Sequence, residues 1–197
     1  MLDTLLVLAH RLARYSAWAG GGMILFAAFM VTVDVLSRRI FGITMSGSDE
    51  VSGYLFAIAT ALAMPYALLM RANVRIDAAY NLLPQRVRYG MDVFGLILFT
   101  GFAIMVTWRA ALTVHVTWLN DAHAITPLQT PLILPQSIWL AGWVLFCICL
   151  VLLLAATVRA GLRGDLAAAG RLSGVPSVEE EVAEETAGVL PRKLKEA

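Results

Sequence analysis

Charge is scarce in this chain. Asp, Glu, Lys and Arg make up 15% of the 197 residues, against roughly a quarter in an ordinary soluble domain. Formal net charge is +1 and no basic run is interleaved with aromatics, so a nucleic-acid surface is excluded. There are only two cysteines, Cys147 and Cys149. In a helix they would point about 200° apart, so they cannot bridge each other and say nothing about redox compartment. Catalytic groupings are missing as well. No serine has a plausible His and Asp partner, no Cys/His spacing suits a metal, and no glycine-rich phosphate loop occurs. No cofactor is expected, and the chain does not read as an enzyme.

What the sequence has in excess is hydrocarbon. Hydrophobic residues reach 59% before its 15 glycines are counted, which places it outside water-soluble globules. Four continuous apolar runs have the length that a helix needs to cross a bilayer, at about residues 15–35, 51–70, 93–114 and 136–158. Their continuity argues against the short alternating strands of a β-barrel. The expected fold is an all-α integral membrane protein with four transmembrane helices. Two hairpins of similar size, 15–70 and 91–158, leave a weak inverted symmetry open.

Arginines set the expected orientation. Arg11, Arg14, Arg71, Arg75, Arg86, Arg88, Arg159, Arg163 and Arg171 fall on one side, and only Arg38, Arg39 and Arg109 on the other. Both termini are therefore expected in the cytoplasm, and the loops near 36–50 and 115–135 on the outer face, which is periplasmic in a bacterium. Asp3 and the lack of an early positive charge argue against a signal peptide at the apolar N-terminus. Residues 1–14 read as an amphipathic lead-in, lying at the cytoplasmic interface or continuing the first span. Residues 161–197, with Glu179, Glu180, Glu181, Glu184 and Glu185 and breaks at Gly174, Pro176 and Pro191, read as a disordered acidic tail.

Several polar residues have more than one reading. Asp34 and Arg38 are spaced to meet on one helix face, as an interface salt bridge or as a contact to a partner subunit. Asp49 and Glu50 precede the second span, where Ser46 or Ser48 could cap the helix and the carboxylates would favour its dipole. Pro65 frees the carbonyl of Ala61 within that span, which reads as a structural kink because no carboxylate, Asn or Gln shares the span. The arginine-rich loop after residue 70 is either a solvated, headgroup-facing segment or a docking element. His10, His115 and His123 cannot form an opposed pair at mid-membrane, which speaks against haem. Arg109 lies close enough to the outer surface to snorkel, and Trp108, Trp118, Trp139 and Trp143 read as interface or packing aromatics. Pro127, Pro131 and Pro135 should make the outer loop an extended, stiff, apolar strip, with protein cover favoured over headgroups. No acidic residue occupies the middle third of any span. A channel, proton-driven carrier or intramembrane enzyme usually needs one, so the bundle reads as a helper subunit.

Over about residues 15–160 the sequence resembles the small, DctQ-like membrane subunit of the tripartite ATP-independent periplasmic (TRAP) transporters. The resemblance is carried by DVLSRRIFG, with Arg38 and Phe41 at the family's Arg and aromatic positions, and by SGSDEVSGYLF, with Glu50 at the family's Glu. In ALLMRANVRIDAAYNLLP, residues Arg71, Val74, Arg75, Ile76, Asp77 and Pro84 are similar to the family's Arg, spacer, "HIRVD"-like string and Leu-Pro. Asn73 and Val74 depart from the usual Gly/His lead, and TPLQTPLILPQ resembles the segment before the fourth span.

The resemblance implies a secondary transporter in the bacterial inner membrane. There a periplasmic substrate-binding protein captures an organic acid and hands it to a large membrane subunit, usually driven by sodium. The small subunit would be a rigid four-helix scaffold for the large one, with Asp34, Arg38, Glu50, Arg71, Arg75 and Asp77 as subunit-interface or loop-ordering residues. Pro127, Pro131 and Pro135 would mark the loop where the binding protein docks. Two rival classes are a redox-enzyme membrane anchor, which would show a Soret band, and a stand-alone small carrier, which would give flux unaided.

Overall fold

A computed structural model describes residues 2–72 and 83–174. Five helices lie within them: α1 Leu2–Phe41, α2 Ser48–Leu69, α3 Gln85–Leu119, α4 Ile133–Leu162 and the short α5 Leu166–Ser173. The first four are long and apolar enough to cross a membrane, so the chain is an all-α membrane protein.

Each of the first four helices stops where the backbone turns left-handed. Gly42 at φ 67° ends α1, Arg71 at φ 54° follows α2, Asp121 at φ 45° follows α3 and Gly164 at φ 79° follows α4. After α2 and α3 the chain closes with matching bonds, Ala72 N–H to Ala67 O and Ala122 N–H to Thr117 O, which satisfy carbonyls otherwise orphaned at a helix end. Pro84 is the N-cap of α3.

α4 is the hub. α1 packs on α2, while α2 and α3 each pack on α4; among the described residues α3 has no more than marginal contact with α1 or α2. α1 also touches α4, so α1, α2 and α4 meet one another and α3 joins them through α4. Where they touch, small residues let backbones approach. A Cβ at Gly20 would sit 2.8 Å from the carbonyl oxygen of Ala59, and one at Gly142 2.9 Å from Ala61. Ala59 and Ala61 thus bring α2 against α1 on one side and α4 on the other, the packing that membrane helices use when burial from water supplies no drive. Ser16 donates to the carbonyl of Leu62 at 2.9 Å, and Thr107 Oγ1 lies 3.1 Å from Cys147 Sγ across α3 and α4. Cys149, Leu150, Phe146 and Leu153 of α4 form the core with Ala9, Leu68, Leu96 and Ala103. Both cysteines are free.

With no proline to stop it, α1 runs through residues 2–14 without a break, in line with the reading in which they continue the first span, and Ala9 and Ala13 are buried. Two expectations change. Residues 161–174 are not disordered tail. They finish α4 and form α5, where Asp165 caps the helix by accepting from Ala168 N–H at 2.8 Å and Ala169 is buried; the remainder, 175–197, lies outside the described residues. Neither Ser46 nor Ser48 caps α2, because Gly47 at φ 101° is the N-cap and no side chain bonds there. α2 continues through Pro65, which is buried.

The two ends of the helices differ in chemistry. One, here the carboxylate end, carries the α1–α2 and α3–α4 connections. The other, the basic end, carries the start of α1, the end of α2, the start of α3 and α5.

Candidate functional site at the carboxylate end

Asp34 reaches its place because α1 continues past the apolar stretch and turns its last buried position toward the α1–α2 connection. Its side chain is 2% exposed. A carboxylate so enclosed needs partners, and it has them: the Met45 amide donates to Oδ1 at 2.6 Å and Arg38 Nη2 to Oδ2 at 2.7 Å. The hydroxyl of Ser48 is beside the same carboxylate. Arg38 itself is 53% exposed, so it covers the acid from the surface while the amide holds the loop.

Glu50 does for the second connection what Asp34 does for the first. In the first turn of α2 it accepts from Tyr54 Oη at 2.9 Å, one helical turn on. Its other oxygen accepts from the hydroxyl of Thr126, in the α3–α4 loop, with the Thr130 hydroxyl also beside it. The two loops interlock as well. Gly47 leaves no room for a Cβ because the Leu128 side chain fills that space, and its φ of 101° favours glycine independently.

The proline-rich loop is not the extended strip that its composition suggests. It doubles back. His123 and Pro131 pair in an antiparallel bridge, with Ala124 N–H donating to Thr130 O and Leu132 N–H to Ala122 O, both at 3.0 Å. A turn from Thr126 to Gln129 closes it. Pro127 is exposed in that turn, Pro131 is the bridge residue, and Pro135 lies in the first turn of α4, where a missing N–H breaks no helical bond. Ile125 at the tip is fully exposed.

Of the remaining candidate residues, Arg71 lies at the basic end beside His10 and Arg171, far along α2 from Glu50. Arg75 and Asp77 lie outside the described residues. Arg109 is exposed on α3 beside Thr113 and Thr117. His10 and His123 each place Nδ1 against a nearby backbone carbonyl, of Leu6 and Asp121. Four participants escaped the sequence reading: Thr126, Thr130, Tyr54 and the Met45 amide. Only Tyr54 carried a local signal, its spacing of four from Glu50.

Chemically this site can hold loops and present a surface. Comparison with known proteins gives the same direction. The chain is similar to the sialic acid TRAP transporter permease protein SiaT of Haemophilus influenzae (strain 86-028NP), at 26% identity over 81 residues, which is 41% of this chain and 13% of that protein. The chain thus matches a small part of that relative's length. No solved structure matches. The sequence model of the DctQ component of the tripartite ATP-independent periplasmic transporters matches residues 8–160, and with that coverage the chain belongs to the DctQ family of TRAP transporter components.

Proposed function

We propose that this chain is the small permease subunit of a TRAP-type secondary transporter. It braces the large membrane subunit during sodium-coupled uptake of an organic acid delivered by a periplasmic binding protein. It does so in the bacterial inner membrane, with both termini cytoplasmic and the carboxylate end periplasmic. The similarity to a sialic acid permease supports an acidic substrate for the system.

The observation that carries this reading is the unequal use of polar and apolar surface. Asp34 and Glu50 spend their hydrogen bonds within the chain, one each on a loop and one each on their own helix, so the carboxylate end is braced from within. The helices do the opposite. Only 11% of the most apolar stretch of α1 is buried in the chain, 17% of that of α3, and 28% of those of α2 and α4. Trp18, Leu25 and Phe29 on α1 and Phe94 and Trp108 on α3 are largely exposed. Apolar faces this broad suit a subunit that lies against a larger one. A groove of about 460 Å³ between α1 and α2, lined by Ile24, Ala27, Ala28 and Gly53 among others, adds relief to one such face.

In this reading Asp34, Arg38 and Glu50 order the loops at the boundary with the large subunit, and the folded loop with Pro127, Pro131 and Pro135 presents its tip to the binding protein. Arg71, Arg75 and Asp77 serve the cytoplasmic boundary. The test is co-purification. The chain, tagged and co-expressed with the large subunit of its transporter, is expected to elute with it as one complex; separate elution in mild detergent and in nanodiscs would contradict the reading.

A further inference from the structure

At the basic end, four elements converge on a pocket of about 230 Å³. It is lined by Leu6 and His10 of α1, Leu69 of α2 with Met70 and Arg71 just beyond it, Leu153 of α4, and Arg171 and Leu172 of α5. Its composition is divided. Five aliphatic side chains form the wall, and two guanidinium groups and an imidazole supply all of its ionisable groups; no carboxylate lines it among the described residues.

Each cationic group is held there by the fold. Arg71 adopts φ 54° in the turn that terminates α2, and its Nη1 is buried. Arg171 sits in the last turn of α5, a helix that Asp165 caps and that packs back on α4 and α3. His10 has its Nδ1 3.0 Å from the carbonyl of Leu6, which fixes the ring and leaves Nε2 as its other polar atom. In the neutral ring that nitrogen accepts; it donates once the ring is protonated. The fixed positive charge therefore comes from the two arginines. The nearest acid by sequence on α1, Asp3, is directed to Arg159 at 3.4 Å.

Two guanidinium groups above an aliphatic wall match a phosphate attached to hydrocarbon. Arginine takes phosphate oxygens in paired hydrogen bonds, and basic pockets between membrane helices favour anionic headgroups. The depth fits too: Leu153 and the neighbouring Leu68 belong to the apolar core, while Arg171 is exposed. We propose that this pocket binds the phosphate group of an anionic phospholipid, with Arg71 and Arg171 on the phosphate oxygens and Leu6, Leu69 and Leu153 against the glycerol and upper acyl carbons. A lipid so placed links α5 to the ends of α1, α2 and α4. The inference does not rest on the transport reading, because it concerns only this chain and lipid.

Native mass spectrometry of the full purified chain tests it, with phosphatidylglycerol, phosphatidylcholine and inorganic phosphate as separate probes. Phosphatidylglycerol is expected to stay bound at collision energies that strip phosphatidylcholine. Arg171→Gln should weaken it about fivefold and Arg71→Gln with Arg171→Gln about thirtyfold, as expected for one and two lost basic contacts. Arg171→Lys, which keeps the charge, should change it by less than about twofold. Equal retention of both lipids, or unchanged phosphatidylglycerol binding in Arg171→Gln, would overturn the proposal. So would inorganic phosphate occupying the site while the lipid does not, since the source would then be free phosphate. Arg171 lies on the exposed side of α5, so the single variant decides the matter even if the double variant fails to fold.

Discussion

The carboxylate end and the basic end belong to the same helices, yet they are organised on opposite principles. At the carboxylate end Asp34 is buried and Glu50 half-buried, and each of their four oxygens accepts a hydrogen bond, two of them from donors on loops, so charge becomes a clasp. At the basic end the ion pair between Asp3 and Arg159 is long, at 3.4 Å, and its side chains are 78% and 37% exposed. Among the described residues arginines there outnumber acids; Arg71 and Arg171 line a pocket, Arg88 donates to the Leu83 carbonyl, and Arg11, Arg14, Arg86 and Arg163 are exposed. The contrast teaches where rigidity resides: buried charge-assisted hydrogen bonds hold loops, whereas exposed pairs contribute little.

The comparison breaks first at Asp34. Asp34→Ala removes the acceptor for the Met45 amide and leaves Arg38 without its acid, so the thermal midpoint of the chain in detergent should fall by roughly 5 °C or more. Arg38→Ala, which leaves the amide bond in place, should fall by clearly less; equal losses would show that the surface ion pair and not the loop contact matters. Next comes Gly47→Ala, which combines a left-handed backbone with a collision at Leu128 and should destabilise by about 1–2 kcal/mol in a denaturant titration.

Glu50→Gln and Thr126→Val sharpen the comparison further. If one hydrogen bond joins α2 to the distant loop, the double variant should lose little more than the worse single one, with each lowering the midpoint by a few degrees. Additive losses would separate the two residues. Smallest is Arg159→Gln at the other end. An exposed pair of that length predicts a change under about 0.5 kcal/mol, and a loss comparable to that of Asp34→Ala would erase the distinction between the ends.

The four spans were legible because bilayer length and continuous apolarity are properties of a window of sequence. Their limits were less so. α3 continues through His115 and Trp118 to Leu119 because a helix stops where the backbone is capped, at Asn120 and Asp121, and not where hydropathy falls. α5 was hidden for a related reason: LAAAGRLS is a good helix former, but the acidic run after it dominated the composition of that region. At the candidate site, the pairing of Asp34 with Arg38 was readable from their i, i+4 spacing. The Glu50–Thr126 bond joins residues 76 positions apart, and no local period encodes such a contact. The proline strip misled because three prolines spaced by four exclude a helix through the loop without forbidding a turn, and the turn is what Leu128 needs in order to reach Gly47.

In the proposed function this chain braces a transporter and moves nothing alone. That reading is tested most directly by measuring sodium-driven uptake of radiolabelled sialic acid and C4-dicarboxylates into liposomes holding either this chain alone or this chain with its large subunit and binding protein. Uptake is predicted only with all three components, and it should drop when this chain is left out. Uptake by the chain alone, or undiminished uptake without it, would contradict the claim.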